Sequence, residues 1–310
     1  MCGIVGLYLK DPALEPRLGE LFAPMLAAMS DRGPDSAGFA IYGDEVGPGR
    51  IKLTLQHEDP AFDWSTVASA LAARSGNTAG SEPDWFQNAT AAVFKLATSE
   101  GEARAAFSEL APDARIMSVG RSIEILKGVG RPQAIIDRFN LPAMQGTHII
   151  GHTRMATESA VSMAGSHPFS TGQDLCLVHN GSLSNHNWLR KRLEKQGIRF
   201  ETENDSEVAA GYLTWRLRAG DSLEQALHKG LEDLDGFFTL TIGTRDGFAV
   251  IRDPVACKPA VLAETDQYVA MASEYRALVH LPGIEQASVW EPDPARVYLW
   301  ERTQALGAAA

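Results

Sequence analysis

Apolar residues recur along this chain with two different periods, and the switches between them mark its elements. Gly3–Leu9 (GIVGLYL) is apolar without a break and stops at Lys10-Asp11-Pro12, the pattern of a short strand buried on both faces. Leu18, Leu21, Phe22, Met25, Leu26 and Met29 then fall at helical spacing, predicting an amphipathic helix over 17–30 that Pro24 can bend. Strands are expected over 39–42 and Ile51–Gln56, and helices over 64–73 and 102–110. The stretch 89–98 fits strand or helix, 116–119 and 123–126 suggest a hairpin around Gly120-Arg121, and 132–139 a short helix with Pro near its start.

From residue 147 the pattern sharpens. Strands over 148–152 and 174–178 run into the polar clusters Thr153-Arg154-Met155-Ala156-Thr157 and His179-Asn180-Gly181. Helices follow over 185–196, Asp205–Arg218 (with Asn204 or Asp205 as cap) and 222–234. The last third reads as strand: 237–242 with Gly247–Arg252, 260–263 with Tyr268–Ala272, and 297–300, with a short helix over 273–280. Hairpins with grouped helices predict antiparallel sheets packed face to face, helices outside.

Composition adds bounds. The 310 residues are 45% hydrophobic and 22% charged, enough for a large core in one domain over 1–302, with an insertion at about 57–145 and a frayed tail at 303–310. A net charge of −11 argues against a nucleic-acid partner or an anionic membrane. No signal peptide is evident, and no apolar run reaches the roughly 18 residues of a membrane span. Three scattered cysteines, Cys2, Cys176 and Cys257, fit neither a disulfide framework nor a metal site, so a reducing cytoplasm is expected.

The candidate chemistry sits at the ends of the expected strands. Removal of Met1 would leave Cys2 with a thiol and a free α-amine, which titrates near about 8 and can serve as base for its own nucleophile. The alternative is an inert cysteine behind a start codon. Asn180-Gly181 offers a side-chain and a backbone N–H for an oxyanion, or is merely a turn. Arg154 could clamp a carboxylate, or lie on the surface. Asp205 could hold an ammonium, or cap its helix. Together these parts would read an α-amino acid with a side-chain amide, that is, glutamine.

Cys2-Gly3-Ile4-Val5-Gly6, Arg32-Gly33-Pro34-Asp35-Ser36-Ala37-Gly38, Gly151-His152-Thr153-Arg154, His179-Asn180-Gly181 and Asn204-Asp205-Ser206-Glu207 resemble, in order, the motif series of class II glutamine amidotransferases. Arg252-Asp253-Pro254, Lys258-Pro259 and Ala272-Ser273-Glu274 resemble that family's later strand-end motifs. The resemblance implies an α+β fold, the four-layer αββα sandwich of N-terminal-nucleophile hydrolases, with an inserted α/β excursion. It implies Cys2 as nucleophile, Asn180 and Gly181 as oxyanion hole, Arg154 and Asp205 as readers of the α-carboxylate and α-amine, Thr157 as a further pocket residue and Arg32 in a supporting role. Met155 departs from the aromatic residue that many members carry after the arginine, and no synthase domain follows the last expected strand.

The opening stretch and DRGPDSAGFAIYG look closest to the stand-alone amidotransferase subunit of N-methylglutamate synthase and related glutamate-synthase-like complexes. There, glutamine or γ-glutamylmethylamide would be cleaved for separate partner chains, a glycine-repeat β-helix subunit and an FMN-dependent synthase. The resemblance implies no cofactor and no metal in this chain, with FMN and possible iron–sulfur clusters in the partners. Two other readings stand beside it: a regulatory or scaffolding subunit with a vestigial glutamine site, and an amidohydrolase of the same fold acting on another amide.

Overall fold

The computed structural model describes residues 2–74, 83–155 and 161–302. Two antiparallel sheets form its centre. The larger has seven strands, in the order Ser288–Trp290, Val261–Glu264, Tyr268–Ala272, Gly3–Leu9, His148–Arg154, Ser36–Tyr42 and Ile123–Val129. The second has five, in the order Val297–Glu301, Gly247–Arg252, Gly236–Gly243, Leu175–Leu183 and Phe169–Gly172. Between them lies a core that includes Ile4, Tyr8, Ile150, Val178, Phe248 and Met271. Alternate residues of the same strands face outward: Val5, Leu7 and Leu9 pack under the helices Leu18–Ala27 and Pro132–Arg138. On the far side, His186–Glu194, Asp205–Arg218 and Leu223–Asp233 cover the five-stranded sheet. The layers therefore run helix, sheet, sheet, helix. Covering both faces explains why Gly3–Leu9 is apolar throughout although its neighbours are antiparallel.

A third sheet, Asp84–Asn88, Ala91–Leu96, Ile51–Gln56 and Arg115–Gly120, carries the helices Trp64–Arg74 and Glu100–Leu110 around a separate apolar cluster. It docks on the large sheet through largely buried polar contacts. Lys52 Nζ donates to Glu124 Oε1 at 2.8 Å, and Gln56 Nε2 to the Lys127 carbonyl at 2.7 Å.

The expected hairpin around Gly120-Arg121 does not form. Arg115–Gly120 pairs with Ile51–Gln56 in the third sheet, while Ile123–Val129 pairs with Ser36–Tyr42 in the seven-stranded one. The chain changes sheets at 121–122 because the buried Asp174 carboxylate gathers three consecutive amides, of Arg121, Ser122 and Ile123, at 2.7, 2.9 and 3.1 Å. The expected helix over 273–280 is only the 3-10 turn Tyr275–Ala277, and 89–98 resolves as the strand Ala91–Leu96. The expected tail, 303–310, lies outside the described residues, among which no helix is long and apolar enough to cross a membrane.

Asp174 touches all three sheets, so its loss should be felt globally. Stripping three buried amides of a charged acceptor costs about 2–4 kcal/mol; urea unfolding of Asp174→Ala is expected to show a loss of that size, and an unchanged midpoint would contradict this role.

Candidate active site

The seven-stranded sheet places Cys2 at the end of its central strand. Gly3 lies opposite Thr153, and Ile4 opposite His152. A Cβ on Gly3 would stand 2.8 Å from Thr153 Oγ1 and 2.9 Å from Met29 Cβ, so only glycine lets the chain enter here. The buried Arg32 donates from Nε to the Cys2 carbonyl at 2.9 Å and from NH1 to Glu274 Oε1 at 2.7 Å. Arg276 grips the other Glu274 oxygen at 2.6 Å, and the two guanidiniums hold that carboxyl below its usual range. Ser273 binds both backbone groups of Ile4, at 2.9 and 3.0 Å. Residue 2 is thus fixed through its own carbonyl and through the strand behind it.

Asn180 and Gly181 lie within the strand Leu175–Leu183, not beyond its end as expected; Asn180 pairs with Thr239 and Gly181 with Phe238. Gly181 has φ +151°, and a Cβ there would stand 2.0 Å from the Phe237 carbonyl oxygen. The Asn180 side chain is buried, and among the described residues its amide nitrogen has no acceptor. Leaving a buried donor unmet costs about 1–3 kcal/mol.

One hydrogen bond ties the two strand ends together: His152 Nε2 donates to the His179 carbonyl across the space between the sheets, at 3.1 Å. His152 also stacks on His167, ring centroids 3.9 Å apart. Burial, with His179 and Arg154 nearby, pushes the His152 imidazole down to about 3; His167 is driven down as well, first by burial and then by His152. Ser206 Oγ lies 2.8 Å from His167 Nε2, 2.9 Å from His179 Nδ1 and 3.3 Å from Asp205 Oδ1. A hydroxyl has one proton and two lone pairs. Given to the Asp205 carboxylate, that proton leaves both imidazoles as donors. His167 Nδ1 and His179 Nε2 then carry no proton, and these are the two buried ring nitrogens without a partner among the described residues.

Asn204, not Asp205, caps the helix Asp205–Arg218, accepting from Ser206 N at 2.9 Å. Asp205 instead accepts from Leu183 N at 2.9 Å, beyond the Asn180-Gly181 pair, and stands 3.7 Å from His179 Nδ1. Burial alone would raise its carboxyl, but His179, Leu183 N–H and Ser206 overcome that and hold it at about 2. Arg154 ends its strand half-buried, with NH1 donating to the Gly165 carbonyl at 3.1 Å. Thr157 lies outside the described residues. The structure thus brings Cys2, Arg32 and Arg154 to the end of one sheet and links them, through His152, to Asn180 and Gly181 on the other, where Asp205, at the start of its helix, bonds Leu183 N. No group of three or more His, Cys, Asp or Glu among the described residues could hold a metal ion.

A family model described as a glutamine amidotransferase domain matches residues 152–280. Over 306 residues the chain is 55% identical to the glutamine amidotransferase-like protein GlxB of Rhizobium meliloti, covering 98% of this chain and all of that one. The chain belongs to the glutamine amidotransferase family. A glutamine–fructose-6-phosphate aminotransferase of Thermococcus kodakarensis is 35% identical over 40% of this chain and 21% of its own. In fold, the amidotransferase resembles the glutamine phosphoribosylpyrophosphate amidotransferase from B. subtilis, with a TM-score of 0.60 at 19% identity over 97% of this chain and 47% of that one. The fold is that of class II, N-terminal-nucleophile amidotransferases.

Sequence reasoning missed the hub. His179 and Ser206 sit inside His179-Asn180-Gly181 and Asn204-Asp205-Ser206-Glu207, where nothing sets them apart from their neighbours. His167 lies in no motif, and nothing local marks it. Two outcomes follow. Ser206→Ala should destabilise the amidotransferase by about 1–3 kcal/mol through two unpaired imidazoles, read by urea unfolding. The Asp205 carboxyl titrates at about 2 against an ordinary 3.8, so its contribution to stability is complete above 3.8 and lost as pH falls through about 2. The stability gap between the native chain and Asp205→Asn should therefore close between those two values; a gap independent of pH would mean that Asp205 is not held as an ion.

Proposed function

We propose that this chain is a glutaminase whose nucleophile is the thiol of Cys2, freed by removal of Met1. The observation that carries this reading is the buried Asn180 amide nitrogen without an acceptor, beside Gly181, whose positive φ favours glycine, on a strand tied by His152 to the strand that starts at residue 3. Arg154 would take the α-carboxylate of glutamine and Asp205, ionised at neutral pH, its α-ammonium; Thr157 would complete the pocket and Arg32 would hold residue 2 in place. Cys2 Sγ attacks the amide carbon and its proton passes to the α-amine. Charge develops on the carbonyl oxygen, where the Asn180 amide and the Gly181 N–H would receive it. The α-amine then gives the proton to the amide nitrogen, the C–N bond breaks and ammonia leaves. Water hydrolyses the γ-glutamyl thioester to glutamate and restores the thiol.

In the fuller reading this is the amidotransferase subunit of an N-methylglutamate synthase or related glutamate-synthase-like complex. Ammonia from glutamine, or methylamine from γ-glutamylmethylamide, would pass to an FMN-dependent synthase chain alongside a glycine-repeat β-helix chain, with any flavin or iron–sulfur cluster held by those partners. The grounds are the N-terminal motifs and the end-to-end match to a relative of amidotransferase type.

Intact mass should find Cys at the N-terminus. Cys2→Ala should abolish glutaminase activity while leaving the melting temperature near that of the native chain, and Asn180→Ala should lower kcat by about 10²–10³. Activity persisting in Cys2→Ala would sink the mechanism. Equal rates on glutamine, γ-glutamylmethylamide and asparagine would show that Arg154 and Asp205 do not read the substrate. Co-purification with a flavin-containing chain would support the complex.

A further inference from the structure

A cavity of about 870 Å³ opens between the third sheet with its Glu100–Leu110 helix and the outer helical layer. Its size falls within the roughly 300–1,000 Å³ of small-molecule sites. Its charges are uneven for a chain of net charge −11. Five cations line it: Arg104, Arg115, Arg199, Arg218 and Lys127. Of its three acids, Glu100 pairs with Arg104 at 2.8 Å and Glu201 with Arg115 at 3.3 Å. Glu207 is consumed by the amides of Glu201 and Thr202, each at 2.8 Å, and by the Thr202 hydroxyl at 2.6 Å. Among the described residues Arg199 and Arg218, both exposed at its mouth, have no carboxylate within ion-pair distance, though Arg218 is close enough to Glu100 to help lower that carboxyl. Lys127 is buried in the floor. Burial lowers its ammonium to about 8, which leaves it mostly charged at neutral pH.

Both walls of this cavity lead to Ser206. On one side Glu207 fixes the 201–202 backbone and is the next residue to Ser206. On the other, Lys127 Nζ donates to the carbonyls of Ser166 and Pro168, at 2.7 and 3.1 Å. Those residues flank His167, whose Nε2 meets Ser206, and the neighbouring Gly165 carbonyl receives Arg154. The segment 164–168 therefore has the candidate glutamine site on one side and the cationic cavity on the other.

The geometry points to an effector site: this cavity binds a small organic polyanion, held by Arg199 and Arg218 over Lys127, and its occupancy shifts glutamine affinity through the 164–168 segment and the start of the Asp205–Arg218 helix. The coupling rests on the glutaminase reading above; the binding does not.

Calorimetric titration of the full chain at fixed ionic strength with pyrophosphate, and separately with citrate, tests the site and separates phosphate from carboxylate ligands. At least one probe should bind once per chain. The double variant Arg199→Glu, Arg218→Glu should weaken it roughly tenfold or more, whereas Arg296→Glu, elsewhere on the surface, should not. Glutamine titrated with and without the bound probe reads the coupling without requiring turnover, and a change of about twofold or more is expected. Binding of neither probe, or equal binding by the double variant, overturns the site; unchanged glutamine affinity overturns the coupling. Should the double variant fail to melt cooperatively, Arg199→Ala alone carries the comparison. Loss of turnover with intact probe binding would indict the glutaminase reading instead.

Discussion

One buried hydroxyl sets the terms for this site. Ser206 Oγ faces two imidazoles and a carboxylate where no water intervenes, and it has a single proton to give. Given to Asp205, that proton leaves both imidazoles donating to the hydroxyl oxygen and Asp205 as its acceptor. In a low-dielectric interior a half-met network of this kind is worse than an apolar one, so its members are locked together. The lock joins three pieces of chain that are remote in sequence: the His167 segment, the His179-Asn180-Gly181 strand and the start of the Asp205–Arg218 helix.

The second constraint is the close stacking of two sheets covered on their outer faces. A polar side chain in the space between them costs free energy unless it is paired. His152 meets that condition by donating across the gap to the His179 carbonyl, and in doing so it sets the level of one strand end against the other. Cys2 sits two residues from the His152 partner Ile4, and Asn180 is next to His179. The relative placement of Cys2 and the Asn180-Gly181 pair is therefore inherited from backbone register, which is stiffer than loop geometry.

What was legible in the sequence follows from range. Gly3–Leu9, Ile51–Gln56 and Asp205–Arg218 were readable because period, caps and punctuation are written in consecutive residues. The motif residues stood out because they end apolar runs. Asp84–Asn88 escaped notice as a largely exposed edge strand, and Phe169–Gly172 and Ser288–Trp290 are too short to show a period. The change of sheet at 121–122 depends on Asp174, some fifty residues away in the chain, so the local pattern could suggest only a hairpin. His167 was invisible for the same reason: its partners are at 152 and 206, and its own surroundings in sequence are unremarkable.

The register of Ser36–Tyr42 and Ile123–Val129 puts Tyr42 directly opposite Ile123. Everything from residue 43 to 122, the third sheet and its helices included, is topologically the tip of one β-hairpin. A tip that closes on adjacent strand ends can lengthen at small entropic cost, since closure entropy grows only logarithmically with length. The parent sheet would meet a two-residue turn at that position with the same hydrogen-bond ladder that it has now. The third sheet is thus an addition that leaves the sandwich's connectivity untouched, and one wall of the cationic cavity exists only because the hairpin was extended there.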